Sequence, residues 1–254
     1  MTHDMMAASS ARILCSWKKG VMKYLLTSGG VRNRSISEAL VDLLGKQISE
    51  SNALFIPTAI YPFPGSPYMA HDAIRGEASN PPAADLGWNS LGVLELSVLP
   101  SIREESWVPT VREADALIVW GGHVSFLHYW MRKSGLADLF ASLNNLVYLG
   151  VSAGSIVVTP YNCDAEFNVK HVPDGSEIAV NTEKALGLVD VTLYPHLNRT
   201  DMTPTPLAEM EEWASNLPVP AYAIDDDTAI KVVDGDVEVI SEGTWKLLNP
   251  DTPF

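Results

Sequence analysis

One serine lies in a sequence context that is typical of enzyme nucleophiles. Residues 146–155 read Leu-Val-Tyr-Leu-Gly-Val-Ser-Ala-Gly-Ser, so Ser152 stands between small residues directly after an apolar run. A strand-to-helix turn of the form Gly-x-Ser-x-Gly lifts a serine hydroxyl above the edge of a sheet. The N-terminus of the following helix favours the negative charge that develops on a substrate oxygen. The pattern predicts that Ser152 is a nucleophile and that the amide of Ala153 faces the oxyanion; an ordinary glycine-rich turn is the alternative.

A serine nucleophile requires a general base, and His196 is the best-placed histidine. It follows the apolar residues 191–194 and Pro195, so we expect it at a strand end, on the same sheet edge as Ser152 if the strands are parallel. A carboxylate should orient the imidazole, and the three aspartates at 225–227 follow the apolar residues 221–224 in the same way. These residues predict a Ser-His-Asp triad. A histidine without a chemical role and a solvated acidic turn are the alternatives.

A second glycine loop could complete an oxyanion hole. Gly121, Gly122 and His123 follow the apolar residues 116–120 and precede a predicted helix. A phosphate-binding turn is the alternative, although the glycine patterns of dinucleotide and nucleotide-triphosphate sites are absent.

The order of the three candidate residues along the chain is Ser, His, Asp, which differs from the order Ser, acid, His of α/β-hydrolases and argues against that fold. No group of His, Cys, Asp or Glu has metal-ligand spacing, so we expect no metal and no cofactor.

The elements that must position these residues form an alternating pattern. Short apolar runs alternate with segments of helical spacing, which favours a parallel sheet with crossover helices. We expect strands at residues 24–27, 53–57, 92–96, 116–120, 146–151, 191–194 and 221–224, and helices at residues 35–44, 124–132, 136–144 and 205–214. A hairpin is predicted from residues 228–233 and 237–240 around Asp234-Gly235. Residues 61–67, rich in proline and aromatic side chains, are predicted to form an ordered loop or lid.

The sequence therefore predicts an α/β fold: a single domain with a mostly parallel central sheet, helices on both faces and a C-terminal β-hairpin. We expect this domain to span residues 21–254, after a flexible extension of residues 1–20. The 254 residues, 46% of them hydrophobic, are sufficient for one sizeable core. The formal net charge of −14 argues against nucleic acid or an anionic membrane as partner. With only Cys15 and Cys163, we expect a reducing, cytoplasmic setting, and both a monomer and a homodimer remain open.

Taken together, five short motifs resemble those of the peptidase E family, which comprises aspartyl dipeptidases and their cyanophycinase relatives. They are Leu-Thr-Ser-Gly-Gly at 26–30, Trp-Gly-Gly-His at 120–123, Gly-Val-Ser-Ala-Gly at 150–154, Tyr-Pro-His at 194–196 and Ile-Asp-Asp-Asp-Thr-Ala at 224–229. The resemblance implies a fold similar to class I glutamine amidotransferases and a serine peptidase for small peptides. It implies that Ser152 attacks the carbonyl, His196 transfers the proton and one aspartate of residues 225–227 orients His196. We place that role on Asp226, and the sequence leaves Asp225 and Asp227 open. Gly122 and Ala153 are the implied oxyanion donors.

Two departures from the family pattern concern the substrate. His123-Val124 stands where the family usually has Asn-Thr, so His123 is a candidate substrate-binding residue. The basic residues that follow the catalytic histidine in aspartyl dipeptidases are missing from residues 203–213, which leaves Arg199 as the nearby candidate. Hydrolysis of Asp-X dipeptides and of other dipeptides both remain open. Outside this activity, a catalytically silent protein that binds a small ligand and a hydrolase of a non-peptide amide are the alternatives.

Overall fold

The computed structural model describes residues 22–76, 82–163, 183–199 and 205–250. Within these residues, the strands are β1 (Lys23–Thr27), β2 (Asn52–Ile56), β3 (Ser90–Val93), β4 (Ala116–Val119), β5 (Val147–Val151), β6 (Thr192–Tyr194), β7 (Ala221–Ile224), β8 (Thr228–Val233), β9 (Asp236–Ser241) and β10 (Trp245–Leu247). The helices are α1 (Arg34–Leu44), α2 (Ser66–Arg75), α3 (Val108–Glu113), α4 (Val124–Lys133), α5 (Leu136–Leu139), α6 (Ala153–Ile156) and α7 (Leu207–Ala214). Short 3₁₀ turns connect several of them.

The main sheet has seven strands in the order β3-β2-β4-β5-β1-β8-β9. The five strands from β3 to β1 pair in parallel, whereas β8 and β9 run antiparallel at one side. Every residue of β4 and β5 is buried, which explains why these strands read as continuous apolar runs. The mostly parallel central sheet of the sequence prediction is confirmed.

Helices cover both faces of this sheet because strand side chains alternate between two cores. Ile118 of β4 packs in the core that α1 and α2 cover, whereas its neighbours Leu117 and Val119 pack in the core that α4 covers. The helix α1 begins at the N-cap Asn33, whose side chain accepts a hydrogen bond from the amide of Ile36 at 3.0 Å. The predicted arrangement of helices on both faces is confirmed.

The predicted C-terminal hairpin is formed by β8 and β9. Its turn residues Asp234 and Gly235 both have positive φ, at 55° and 88°, as a primed hairpin turn requires. Because β8 pairs antiparallel with β1, the hairpin extends the main sheet. The confirmed fold class is therefore α/β with a C-terminal hairpin.

A second sheet was not anticipated. The strands β6 and β7 pair in parallel with each other and, together with β10, form a three-stranded sheet in the order β10-β7-β6. One face of it contributes Leu193, Tyr222 and Ile224 to the core under α4, while the other face packs on α7. The expectation that His196 lies on the sheet edge that carries Ser152 is therefore wrong, since the two residues follow strands of different sheets.

Other differences concern short elements. The helices α2 and α3 were not predicted; each has a proline in its first turn, Pro67 and Pro109, where proline is well tolerated. The predicted loop of residues 61–67 thus includes the start of α2, and the predicted helix of residues 136–144 is a short α5 followed by a 3₁₀ turn. The predicted extension of residues 1–20 lies outside the described residues. Among the helices that are described, none is long and apolar enough to span a bilayer.

Candidate active site

Ser152 lies on a strained turn between β5 and α6. Its φ of 50° and ψ of −112° place a non-glycine residue in a rarely populated region of backbone space. The amide of Ser152 donates a 3.0 Å hydrogen bond to the carbonyl oxygen of Thr27 at the end of β1. A Cβ on Gly150 would lie 2.7 Å from Ser155 Oγ, and one on Gly154 would lie 2.0 Å from the carbonyl oxygen of Val119. The turn therefore requires glycine on both sides of the serine.

His196 and Asp226 come to Ser152 from the smaller sheet. Because β6 and β7 are parallel, the residues that follow them lie at the same edge of that sheet. The Nε2 atom of His196 is 2.8 Å from Ser152 Oγ, and its Nδ1 atom is 2.8 Å from Asp226 Oδ1. The structure thus brings together the three residues that the sequence analysis assigned to a triad.

The neighbours of Asp226 have other positions. The carboxylate of Asp225 accepts hydrogen bonds from the amide of Asp227 at 3.1 Å and from the hydroxyl of Thr228 at 2.7 Å, so it stabilises the turn into β8. Asp227 is exposed, and its carbonyl oxygen accepts from the side chain of Asn33 at 2.8 Å. Of the three aspartates, Asp226 is the one in contact with His196.

Ser28 is a residue of this site that the sequence analysis did not assign. It directly follows β1 and is fully buried. Its hydroxyl donates to Asp226 Oδ1 at 2.7 Å, its oxygen accepts from the amide of His196 at 2.8 Å, and it lies 3.2 Å from His196 Nδ1. The only signal in the sequence was the motif at 26–30, which carried no chemistry of its own.

The surroundings of Asp226 favour its charged form. Burial by itself raises the pKa of this carboxyl, but hydrogen bonds from His196 and Ser28, with the charges of His196 and Arg199, outweigh that effect and lower the pKa to about 2. On its other oxygen, Oδ2, Nη1 of Arg32 lies at 3.6 Å and Nη1 of Arg199 at 4.0 Å. Asp226 is therefore an anion throughout the neutral range.

Two loops bring backbone amides close to the serine. Ala153 is the first residue of α6, where an amide has no acceptor within its own helix. A Cβ on Gly121 would lie 3.3 Å from Ser152 Cβ, so the glycine loop passes directly beside the serine. Gly122 has a φ of 138°, and a Cβ there would lie 2.1 Å from the carbonyl oxygen of Ala59. Gly122 is therefore needed for the close approach of this loop, and a side chain at Gly121 would be tight against Ser152.

The two predicted substrate-binding residues differ in their surroundings. His123 is buried, and its ring packs against Phe63 at a centroid distance of 4.6 Å. Its amide donates to the carbonyl oxygen of Ala59 at 2.8 Å, so the glycine loop is fixed to the 3₁₀ turn that follows β2. Arg199 is about one-third exposed, and its Nη1 atom lies 3.3 Å from His196 Nδ1. Arg199 thus lies beside the candidate triad, and His123 lies between two loops.

No metal site accompanies this arrangement in the described part of the chain. Residues 22–76, 82–163, 183–199 and 205–250 contain no group of three or more His, Cys, Asp or Glu that could hold a metal ion. The chemistry available at this position is that of a hydroxyl, an imidazole and a carboxylate in series.

Comparisons with known proteins agree with the fold described above. Two solved structures have a similar fold over nearly their full length. One is from Listeria monocytogenes EGD-e and is provisionally described as a peptidase E protein, with 21% identity, a TM-score of 0.56, and coverage of 87% of this chain and 98% of that one. The other is a peptidase from an acI-B1 Actinobacterium, with 16% identity, a TM-score of 0.59, and coverage of 91% and 92%. A search of curated protein sequences gave no significant match.

The decisive comparison is with protein families. Residues 24–240 match the family described as peptidase family S51, and this span includes Ser152, His196 and Asp226. The resemblance to the peptidase E family, which five short motifs indicated, is confirmed. The chain belongs to peptidase family S51.

Proposed function

We propose that this protein is a serine peptidase that hydrolyses small peptides, dipeptides above all, through Ser152, His196 and Asp226. One observation carries the proposal. Two polar contacts of 2.8 Å connect the three side chains in series. The first joins Ser152 Oγ to His196 Nε2, and the second joins His196 Nδ1 to Asp226 Oδ1. Membership of peptidase family S51 supports the reaction class, and the strained turn at Ser152 supports its assignment as nucleophile.

In the proposed reaction, Ser152 Oγ attacks the peptide carbonyl carbon while its proton passes to His196 Nε2. The carbonyl oxygen becomes an oxyanion, which the amides of Gly122 and Ala153 would stabilise. The C–N bond then breaks, and Nε2 returns the proton to the leaving amine. A water molecule repeats both steps on the acyl-enzyme and releases the carboxylic acid product.

Asp226 has an electrostatic task in this scheme. When His196 accepts the serine proton it becomes an imidazolium, which an adjacent carboxylate stabilises. The pKa of Asp226, lowered to about 2, keeps that carboxylate ionised at neutral pH. The proton therefore stays on the imidazole ring, and the charge pair forms at 2.8 Å.

The substrate preference rests on fewer contacts. The partly exposed guanidinium of Arg199 lies beside His196 and is the candidate partner for a carboxylate of the substrate, as an Asp-X dipeptide would supply. The same guanidinium lies 4.0 Å from Asp226 Oδ2, so it also serves the triad. Both Asp-X dipeptides and dipeptides with other first residues belong in the test.

The test is hydrolysis of a dipeptide panel with Asp, Glu, Ala, Leu or Lys at the first position. Wild type is compared with Ser152→Ala and with the matched control Ser155→Ala, which removes a buried serine hydroxyl three residues away. We expect turnover by wild type and by Ser155→Ala, and none by Ser152→Ala. Turnover retained in a clean Ser152→Ala preparation would exclude the proposal.

A serine-directed phosphonate distinguishes the remaining outcomes when no dipeptide is cleaved. Stoichiometric labelling at Ser152 without peptide cleavage would favour hydrolysis of a non-peptide amide. Absence of labelling would favour a catalytically silent protein that binds a small ligand in the same place.

A further inference from the structure

The candidate triad is divided between two sheets. Ser152 follows β5 of the seven-stranded sheet, whereas His196 and Asp226 follow β6 and β7 of the three-stranded sheet. A hydrogen-bonded triad of this kind tolerates little displacement, since the rate depends steeply on the geometry of the reacting groups. Some contact must therefore hold the two sheet edges in register.

Residues 27 and 28, at the end of β1, make contacts to both halves. The carbonyl oxygen of Thr27 accepts the amide of Ser152 at 3.0 Å. The next residue, Ser28, accepts the amide of His196 at 2.8 Å and donates its hydroxyl to Asp226 Oδ1 at 2.7 Å. Two adjacent residues of one strand end thus bind all three members of the triad, and Ser28 makes both contacts to the smaller sheet.

The hydroxyl group of Ser28 also influences which ring nitrogen of His196 carries the proton. A serine hydroxyl has one proton to donate and two lone pairs to accept with. The proton goes to Asp226, because a carboxylate can only accept, and one lone pair takes the amide of His196. The second lone pair of Ser28 Oγ therefore faces His196 Nδ1, which lies 3.2 Å away.

Nδ1 of His196 therefore has two acceptors as its nearest polar neighbours, Asp226 Oδ1 at 2.8 Å and Ser28 Oγ at 3.2 Å. The donor Nη1 of Arg199 is farther away, at 3.3 Å. This arrangement favours a proton on Nδ1. The lone pair of the neutral ring is then on Nε2, where it faces the hydroxyl of Ser152.

We propose that Ser28 is a positioning residue, which fixes the proton of neutral His196 on Nδ1 and holds His196 and Asp226 in register with Ser152. This inference rests on the proposed peptidase function. Ser28 acts through His196 and Asp226, and takes no part in bond formation with the substrate.

The experiment compares Ser28→Ala with Ser155→Ala as a matched control. Both serines are fully buried, and each donates a 2.7 Å hydrogen bond near the end of β1; the acceptor of Ser155 is the carbonyl oxygen of Thr27. We expect Ser28→Ala to lose more fold stability than Ser155→Ala, because Ser28 also accepts from the amide of His196 and its own acceptor is charged. Only Ser28→Ala removes a contact to the triad. Urea unfolding of each variant measures the stability.

Steady-state kinetics on the best dipeptide gives the first readout. We expect Ser28→Ala to lower kcat about 10- to 100-fold, as for the loss of a hydrogen bond to a charged group, with KM changed by less than about 3-fold. Ser28→Cys keeps the shape of the side chain with a larger atom and a weaker donor, and should fall in between. Ser155→Ala should keep kcat within about 3-fold of wild type.

The second readout does not need turnover. Nitrogen-15 NMR of histidine-labelled protein reports which ring nitrogen carries the proton, and the spectrum of His196→Gln identifies the His196 signals. We expect wild type and Ser155→Ala to hold the proton on Nδ1, and Ser28→Ala to shift part of the population to Nε2. Because this readout is independent of hydrolysis, it tests Ser28 even if no dipeptide is cleaved.

Two results would overturn the inference. One is an unchanged tautomer in Ser28→Ala; the other is a loss of kcat that Ser155→Ala shares to the same degree. Failure of the proposed function is distinct from both, since it appears as retained activity of Ser152→Ala or as absence of any turnover in wild type.

Discussion

Replacing Asp226 with asparagine removes the negative charge of the proposed triad while keeping the size of the side chain. Oδ1 of Asp226 accepts hydrogen bonds from His196 and Ser28, and Oδ2 faces the guanidinium groups of Arg32 and Arg199. An amide placed in either orientation therefore directs its NH₂ group at donors. We expect Asp226→Asn to be destabilised and to lose most of its activity.

The size of the stability effect follows from the pKa of Asp226, which is about 2 in the folded protein against 3.8 for an ordinary aspartate. This difference corresponds to about 2 kcal/mol of folding free energy at neutral pH. Because the folded-state pKa is the lower one, the contribution is present above the unfolded-state pKa and is lost as the pH falls through the folded-state pKa. The stability difference between wild type and Asp226→Asn should therefore shrink between about pH 5 and pH 2.

The assay is urea unfolding of both proteins from pH 7 down to pH 2.5, together with kcat at neutral pH. We expect kcat to fall about 10²- to 10⁴-fold, as for the loss of a group that supports general-base catalysis. Asp227→Asn is the matched control, because Asp227 is exposed and its contact to Asn33 comes from the backbone. This control should stay within about 0.5 kcal/mol of wild type. Equal activity of the two variants, or a stability difference that does not depend on pH, would refute the reasoning.

Two further predictions concern the serine turn and the substrate. Gly154→Ala places a Cβ 2.0 Å from the carbonyl oxygen of Val119, so we expect a loss of more than about 2 kcal/mol in unfolding free energy; stability equal to wild type would contradict the described turn. Arg199→Gln should lower kcat/KM for Asp-X dipeptides at least about 10-fold more than for Ala-X dipeptides if Arg199 binds the substrate. The control Arg32→Gln changes the other arginine beside Asp226 Oδ2, and an equal loss on all dipeptides in both variants would instead assign Arg199 to the support of Asp226.

Local features of the chain were predictable because neighbouring residues determine them. The turn at Ser152 needs Gly150 and Gly154, and both glycines are visible in the sequence. The fully buried strands β4 and β5 appear as apolar runs, since both of their faces are covered. The hairpin turn at Asp234 was likewise visible from two residues that tolerate positive φ.

The pairing of strands was not visible in the same way. The runs that became β6 and β7 resemble those of the main sheet, yet they form a separate sheet with β10. Hydrophobic pattern specifies which residues are buried, but strand partners depend on contacts between segments distant in the sequence. The predicted common edge for Ser152 and His196 failed for this reason.

The sequence by itself determined the tight turn at Ser152, the α/β class and the family. Only the tertiary structure distinguished Asp226 from Asp225 and Asp227, because the strand ends at Ile224 and the next side chains no longer alternate. It also brought Ser28 to His196 across 168 positions of the chain. A short polar side chain gives no local sign of such a contact, since its partners are chosen by how two sheets pack.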